Sequence, residues 1–340
     1  MIFGILDTRD CAGAILAHSV PLPGGGRLRK GQVLGRDDID MLLGAGVARI
    51  TVARLGADDL HEDEAAARLG QALVAGAGDA TDTGLRASAA ATGRVNLYAT
   101  RTGVVEMDAD RIRRLNAIDP MITLAVTRPF AQCAEGGMIG TVKIISYGVQ
   151  ARALEKVAAL ARGAMQVRPV VLAGAELIVT RTDGAGGGAE EGPEDKGIAA
   201  VRARLAALGI ALERVVTAPH RQDAIAAALG EGRADLRLIL TGSATSDIHD
   251  VAPTALVAAG GRVSRFGMPV DPGNLLFLGD LGGTPVIGLP GCARSPALNG
   301  ADFVLSRVAC GIHPGPEDFA DMAIGGLLKE TRQRGRPREG

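Results

Sequence analysis

Two short segments rich in glycine, serine and threonine carry residue types that suit the binding of a phosphorylated ligand. The first, Thr241-Gly-Ser-Ala-Thr-Ser246, follows the apolar run 236–240, and the second is Gly288-Leu-Pro-Gly-Cys-Ala-Arg-Ser295. Small side chains let backbone N–H groups approach a phosphate closely, and the start of a following helix adds partial positive charge. We therefore predict an anion-binding pocket, with an ordinary strand-to-helix turn capped by Ser or Thr as the alternative.

Two charged residues belong to these segments. Asp250 lies just before a helix-like stretch, where it can cap the helix, bind a metal ion or accept hydrogen bonds from a substrate. Arg294 lies in the second segment, where its planar guanidinium can bind two oxygens of one phosphate. A surface or helix-capping role is the alternative for Arg294.

The surrounding sequence predicts the elements that position both segments. Apolar strand-like runs alternate with helix-like runs from residue 166 to residue 315. The predicted strands are 167–173, 212–218 and 236–240, and the predicted helices are 196–208, 221–229 and 251–259. This alternation is typical of an α/β fold with a doubly wound, mainly parallel sheet and helices on both faces. In such sheets the ligand binds outside the carboxyl ends of the strands.

The residues before and after this range lack its regular alternation of strands and helices. Residues 1–165 mix short strand-like and helix-like pieces, which predicts an α+β region in front of the sheet domain. The predicted strands there include 48–53 and 140–146, and the predicted helices include 37–45 and 62–73. Residues 316–340 are predicted to be a C-terminal tail, with its last dozen residues disordered.

Composition excludes several classes of protein. The 37 Lys and Arg residues nearly balance the 38 Asp and Glu residues, so no overall positive charge attracts a nucleic acid or an anionic membrane. No apolar run is long enough to span a membrane, and the N-terminus does not resemble a signal peptide. The four cysteines have no CxxC spacing, which disfavours a zinc site. We expect a cytoplasmic protein.

Four motifs, in order over about residues 167–312, resemble the molybdopterin-binding domain shared by the MogA and MoeA proteins of molybdenum cofactor biosynthesis. The segment Thr241–Asp250 resembles that domain's Thr/Ser-Gly-Gly-x-Ser-x-x-x-x-Asp loop, and Gly288-Leu-Pro-Gly291 resembles its Gly-Leu-Pro-Gly-Asn-Pro loop. Gly174-Ala-Glu-Leu177 is similar to its Gly-Asp-Glu-Leu strand end. Asp195 falls where the family places Asp-Ser/Thr-Asn before its first long helix.

The N-terminal half adds a second resemblance. The segment Gly31–Val52 looks like the Gly-x-x-Leu-x-x-x-Asp-Ile-x-x-Leu-x-x-x-Gly-Val-x-x-Val-x-Val segment of MoeA proteins. Together with shorter pieces, it resembles a group of MoeA-like proteins that are often fused to a MobA-like nucleotidyltransferase. In that group the transferase follows the point where this sequence stops.

The resemblance implies that molybdopterin, or its adenylate, lies across the carboxyl ends of the strands with its phosphate in the Ser/Thr loop. Asp195 and Asp250 correspond to acids that bind the pterin or place metal and substrate, which makes them the catalytic candidates and Asp250 the candidate Mg²⁺ ligand. A helix cap is the alternative for Asp195. Glu176 is expected on the same rim. The candidate binding residues are Glu176, Thr241, Gly242, Ser243, Ala244, Thr245, Ser246, Gly288, Pro290, Gly291, Arg294 and Ser295.

One departure from the family affects the expected chemistry. MoeA proteins carry Lys-Pro-Gly-Lys-Pro between the two loops, whereas this chain has Asp271-Pro-Gly-Asn-Leu275. Both lysines are missing, and fixed cations normally stabilise the negative charge that develops in molybdate or adenylyl transfer. Arg262, Arg265 or Arg294 would have to replace them.

Three functional hypotheses follow from the resemblance. The first is molybdopterin binding in cofactor maturation, with molybdenumtransferase-like or adenylyltransferase-like activity. The second is a carrier without catalysis, which passes the cofactor to a nucleotidyltransferase or a molybdoenzyme. The third is a CinA-like nucleotide-binding protein. We expect a homo-oligomer, because MogA-type proteins are trimers and MoeA-type proteins are dimers.

Overall fold

The computed structural model describes residues 1–23, 25–76, 82–182 and 193–328, with the side chains of 193–195 excepted. The chain divides into two compact units. The first unit is formed by Met1–Arg101 and Val105–Val167. The second is formed by Thr102–Val104 and the described residues from Arg168 onward.

The described residues of the first unit form short strands and helices, as expected for an α+β region. Its strands are β1 (Ile2–Asp7), β2 (Ile15–Leu16), β3 (Val20–Pro21), β4 (Arg27–Leu28), β5 (Arg49–Arg54), β6 (Asp59–His61), β7 (Leu85–Ala87), β8 (Arg94–Ala99), β9 (Gly103–Met107), β10 (Ile122–Val126), β11 (Ala131–Cys133), β12 (Met138–Ile144), β13 (Gly148–Gln150) and β14 (Met165–Pro169). Its helices are α1 (Arg36–Gly44), α2 (Glu62–Val74), α3 (Ala109–Asn116) and α4 (Ala151–Ala161). The division between the units falls within β9 and β14.

Two hydrophobic clusters stabilise the first unit. The larger cluster joins α2 and α4 to the four-stranded sheet β10-β12-β8-β7, and Leu69 and Val142 are fully buried in it. The smaller cluster lies on the sheet β1-β5-β2 and includes Leu42 of α1 and Val52 of β5. Both clusters consist mostly of aliphatic side chains, as a chain with 2% aromatic residues requires.

The second unit contains the sheet on which the candidate site lies. Its strands are β15 (Gly174–Arg181), β16 (Ala211–Pro219), β17 (Leu236–Leu240), β18 (Arg262–Phe266), β19 (Phe277–Leu281) and β20 (Thr284–Leu289). Its helices are α5 (Pro193–Ala207), α6 (Gln222–Glu231), α7 (Val251–Ala258), α8 (Gly300–Ala309) and α9 (Pro316–Asp321). These strands lie in the order β16-β15-β17-β20-β19-β18. The first four are parallel to one another, whereas β19 is antiparallel to both of its neighbours, β20 and β18.

Helices cover both faces of this sheet, which confirms the predicted doubly wound α/β architecture. Leu177 of β15 packs in a cluster with residues of α5 and α8, whereas the next residue, Ile178, packs in a cluster with residues of α6 and α7. Successive side chains of a strand point to opposite faces, so a strand covered on both sides needs a continuous apolar run. β15 meets this requirement, because its residues from Gly174 to Thr180 are all buried.

The start of this unit differs from the prediction. We expected one strand over 167–173, but the structure has β14 ending at Pro169 and a separate, longer strand, β15, beginning at Gly174. The segment Gly174-Ala-Glu-Leu177 is therefore the beginning of a strand and not its end. The acidic Glu176 makes this run difficult to recognise as a buried strand, because a buried carboxylate is rare unless it has partners.

The predicted tail is also partly folded. Helix α9 begins at Pro316, its Phe319 is 1% exposed, and Met322 packs in the same cluster as α5 and α8. Leu328 donates its backbone N–H to the carbonyl oxygen of Asp271 at 2.8 Å. Residues 316–328 thus belong to the second unit, while residues 329–340 lie outside the described residues.

Across the described ranges, no helix combines the length and the apolar character that crossing a membrane would require.

Candidate functional site

The two predicted loops meet at one edge of the sheet. β17 and β20 are adjacent and parallel, so the segments that follow them, 241–250 and 290–295, leave the sheet side by side. Arg294 connects the loops directly, because its Nη2 donates a hydrogen bond to the carbonyl oxygen of Thr241 at 3.0 Å. β16 lies on one side of β15 and β17 lies on the other, so the strand order reverses at β15. Parallel sheets of this kind bind ligands at the carboxyl ends of the strands beside such a switch point.

The first loop presents backbone amides to solvent. Gly242, Ser243, Ala244 and Ser246 are exposed, whereas Thr241 and Thr245 are buried beneath them with their hydroxyl oxygens 3.5 Å apart. Within the part of the chain that the structure describes, the N–H groups of Ser243, Ala244 and Thr245 have no hydrogen-bond partner. Three such successive amides beside the exposed hydroxyls of Ser243 and Ser246 are able to bind an anion, and the anion site stays a prediction.

Gly242 holds this loop against the end of β15. Its N–H donates to Oγ1 of Thr180 at 2.9 Å, and Thr180 is only 1% exposed. A Cβ at position 242 would lie 2.5 Å from the carbonyl oxygen of Thr180. Glycine is required at position 242 because the neighbouring atoms belong to the backbone of another strand.

The second loop has a more mixed character. Gly291 and Ser295 are exposed at the two ends of a short 3-10 turn, whereas Pro290 is buried. Gly288 is buried inside β20, where a Cβ would collide with the ring of Phe277, so packing explains this glycine without a ligand. Burial raises the pKa of the Cys292 thiol, which keeps it protonated at neutral pH and unsuited to act as a nucleophile.

A buried arginine that the sequence analysis did not select holds the second loop in place. Arg204 of α5 donates from Nε to Oδ1 of Asp302 at 2.7 Å. Its Nη1 donates to the carbonyl oxygen of Ala293 at 2.8 Å, and its Nη2 donates to those of Ser295 and Ala297 at 2.7 and 2.9 Å. One guanidinium therefore satisfies three loop carbonyls and a carboxylate.

Asp250 caps helix α7. Its Oδ1 accepts the N–H of Val251 at 2.7 Å, and its Oδ2 accepts the N–H of Ser246 at 3.1 Å. The carboxylate thus joins the exposed loop to the helix that follows it. Of the three roles left open by the sequence, the structure shows the cap; a ligand contact stays a prediction.

Two substitutions separate these roles. Asp250→Asn retains a capping oxygen, so we expect the free energy of unfolding to change by less than about 0.5 kcal/mol, whereas Asp250→Ala should cost about 1 kcal/mol. Removing the carboxylate charge in Asp250→Asn should weaken binding of a pterin, whose ring N–H groups pair with a carboxylate. Chemical denaturation and pterin titration measure the two effects. Unchanged pterin affinity in Asp250→Asn would restrict Asp250 to its cap.

The other two candidate acids, Glu176 and Asp195, are not seen beside the loops among the described side chains. Glu176 lies near the beginning of β15 and pairs in register with Arg237 at the beginning of β17. It is therefore at the amino edge of the parallel sheet, opposite the loops, and its expected place on their rim is wrong. Its Oε1 accepts the N–H of Arg233 at 3.0 Å, which explains how β15 can contain a buried acid. The side chain of Asp195 lies outside the described residues.

The described residues do not by themselves form a Mg²⁺ site. Both carboxylate oxygens of Asp250 already accept backbone N–H groups. Within the described ranges, no three His, Cys, Asp or Glu side chains are grouped so that they can hold a metal ion.

The arginines that would have to replace the missing lysines each bind a group of the protein itself. Arg262, on the edge strand β18, pairs with Asp280 at 3.3 Å. Arg265 donates from Nε to the carbonyl oxygen of Gly267 at 2.7 Å, and its guanidinium lies 5.0 Å from the ring centre of Phe319. The positions that the lysines would occupy, Asp271 and Asn274, line a cavity of about 310 Å³ together with residues 268–270, 323, 326 and 327. None of these lining side chains is a cation.

Comparison with known proteins gives a short family match and weak structural likenesses. The family model described as "Domain of unknown function (DUF8806)" matches residues 6–54, which include the end of β1, the strands β2 to β5 and helix α1. A comparison with curated proteins finds no match.

Several solved structures of molybdenum cofactor proteins are similar to the chain. One is a molybdopterin biosynthesis MoeA protein from Pyrococcus horikosii, with 12% identity and a TM-score of 0.32 over 91% of this chain and 76% of that one. A molybdopterin biosynthesis protein from Mycobacterium abscessus has 16% identity and a TM-score of 0.27 over 41% and 92% of the two chains. A molybdenum cofactor biosynthesis protein from Pyrococcus furiosus has 12% identity and a TM-score of 0.24 over 97% and 66%. At these identities and TM-scores, the likenesses assign neither a fold nor a ligand to this chain.

Proposed function

We propose that the chain binds a phosphate-bearing pterin of the molybdopterin type at the two loops and acts in molybdenum cofactor biosynthesis. The observation that carries the proposal is the run of three backbone amides at Ser243, Ala244 and Thr245, which have no hydrogen-bond partner among the described residues, with Ser243 and Ala244 exposed. Such a run binds an anion through several N–H groups at once. The four motifs that resemble MogA and MoeA proteins favour a pterin as the body of the ligand.

The pterin ring of the ligand would lie toward two acids, Asp250 at the end of the first loop and Asp195 on α5. A pterin ring presents adjacent N–H donors that a carboxylate accepts in pairs. Asp250 is half-buried at the end of the first loop, and Asp195 lies at the start of α5, whose Gly197 approaches Arg294. We propose both acids as pterin contacts, on the strength of the resemblance.

We further propose that the protein carries the cofactor and does not transform it. Transfer of molybdate or of an adenylyl group develops negative charge, which fixed cations must stabilise. Here Arg262, Arg265 and Arg294 each bind a carboxylate or carbonyl of the protein itself. A carrier needs affinity for its ligand but no stabilisation of a transition state. Its recipient would be a nucleotidyltransferase or a molybdoenzyme.

Binding of an oxidised, fluorescent pterin with and without its phosphate ester tests the site. We expect the phosphorylated form to bind at least about tenfold more tightly. Ser243→Asp places a negative charge among the free amides and should abolish most of that difference through like-charge repulsion. Ala211→Asp is the matched control, because Ala211 is exposed at the amino edge of the same sheet. Equal loss in both variants would refute the proposed location.

Two further measurements separate the alternatives. Release of AMP or pyrophosphate above background, with molybdopterin, ATP, Mg²⁺ and molybdate present, would contradict the carrier and favour a transferase. Binding of ADP-ribose or nicotinamide nucleotides without any response to pterin would favour the CinA-like function. Homo-oligomerisation and a cytoplasmic location stay predictions, and light scattering measures the first of them.

A further inference from the structure

The end of β15 carries a side-chain pair outside the two loops. Oγ1 of Thr180 lies 2.9 Å from Nδ1 of His220, which follows β16. The same Oγ1 accepts the N–H of Gly242 at 2.9 Å. A continuous hydrogen-bonded chain therefore runs from the end of β16, through β15, into the first residue of the exposed loop after Thr241.

Thr180 can form both of these hydrogen bonds at once. A hydroxyl has one hydrogen to donate and two lone pairs to accept with. Gly242 uses one lone pair of Thr180, so the hydroxyl can still donate to Nδ1 of His220 or accept from it, depending on the tautomer of the imidazole. The backbone of His220 is held as well, since its N–H donates to the carbonyl oxygen of Arg181 at 2.7 Å. The imidazole thus fixes the rotamer in which Thr180 receives Gly242.

We infer that His220 is a positioning residue of the ligand site, acting through Thr180 on Gly242. Without the imidazole, Thr180 Oγ1 loses the partner that orients it, which weakens the attachment of the loop to β15. The three amides that have no partner among the described residues follow Gly242 directly, so their positions depend on that attachment. This inference rests on the proposed function for its consequence in binding, but its effect on loop geometry is independent of any ligand.

Three variants test the chain. His220→Ala removes the hydrogen-bond partner of Thr180 Oγ1, whereas His220→Asn retains one, because the side-chain amide of asparagine can accept or donate in place of Nδ1. Thr180→Val keeps the shape of a side chain that is 1% exposed and removes the hydroxyl. Amide hydrogen exchange at Gly242, followed by NMR in the free protein, should accelerate at least about fivefold in His220→Ala and Thr180→Val and stay near the wild-type rate in His220→Asn.

Affinity for the phosphorylated pterin provides the second measurement. We expect His220→Ala to weaken it about fivefold and His220→Asn to restore it, with the double variant His220→Ala/Thr180→Val no weaker than Thr180→Val alone, because coupled residues are not additive. Unchanged Gly242 exchange in His220→Ala, or additive losses in the double variant, would overturn the inference. If the wild type binds neither phosphopterin nor inorganic phosphate, the proposed function fails, and the exchange rates of His220→Ala and His220→Asn alone decide the role of His220.

Discussion

Replacing Arg204 by alanine should lower the free energy of unfolding by about 3–5 kcal/mol, because the substitution leaves a nearly buried carboxylate and several carbonyls without their donor. The guanidinium side chain is 8% exposed and the side chain of Asp302 is 16% exposed. Asp302 also accepts the N–H of Asn299 at 2.8 Å in the capping box of α8. Loss of Arg204 therefore affects the second loop and the start of α8 together.

Arg202 provides the control for this prediction. It lies on the same helix but is exposed, so Arg202→Ala should change the free energy of unfolding by less than about 0.5 kcal/mol. Arg204→Lys keeps the charge but lacks the planar fork that reaches several carbonyls at once, and we expect an intermediate loss. Denaturant unfolding of the three variants measures the differences. Similar curves for Arg204→Ala and Arg202→Ala would mean that the hydrogen bonds of Arg204 contribute little.

Gly242→Ala should reduce the affinity for the phosphorylated pterin more than about tenfold and destabilise the protein by about 1–3 kcal/mol. The added methyl group meets the carbonyl oxygen of Thr180 at 2.5 Å and lies 3.4 Å from the amide nitrogen of Thr182. Backbone atoms of a buried strand cannot yield, so the loop must lift away from β15. The amides after Gly242 are then displaced from their positions beside β15.

Gly230 is the matched glycine. It lies in α6, where a Cβ would meet no atom within 4 Å, so Gly230→Ala should stabilise the protein by up to about 1 kcal/mol through helix propensity. Phosphopterin titration and thermal unfolding of both variants test the difference. Wild-type affinity in Gly242→Ala would show that the ligand does not use the amides of this loop.

Local patterns predicted the sheet well where strands and helices alternate regularly. The run Leu236–Leu240 is the strand that the sequence indicated, and the loop after it faces solvent as expected. The antiparallel strands β18 and β19 were not predicted, although Gly282-Gly283 between β19 and β20 is a typical two-glycine hairpin turn, with φ of 62° and 86°. The Gly282-Gly283 pair is therefore the sequence signal that indicates the hairpin of β19 and β20.

The partners of the site could not be read from local sequence. Arg204 contacts carbonyls about ninety residues away along the chain, at Ala293 and Ser295. Its one local indication was its place on the apolar side of α5, between the buried Val201 and Leu205. Thr180 was missed because β15 was misplaced, and Glu176 was put on the wrong edge for the same reason.

Two charged residues, Glu176 and Arg237, stabilise the sheet near its amino edge, away from the loops of the candidate site. Arg237 donates to the carbonyl oxygen of Gly232 at 2.7 Å and Glu176 accepts from Arg233, so these charges secure the beginnings of the strands. β15 is 8 residues long, which at about 3.3 Å per residue puts the two edges roughly 25 Å apart. That separation is about three Debye lengths at physiological ionic strength. Charge substitutions at exposed positions of the amino edge, such as Ala211, should therefore leave the selectivity of the opposite edge untouched, even in the same strands.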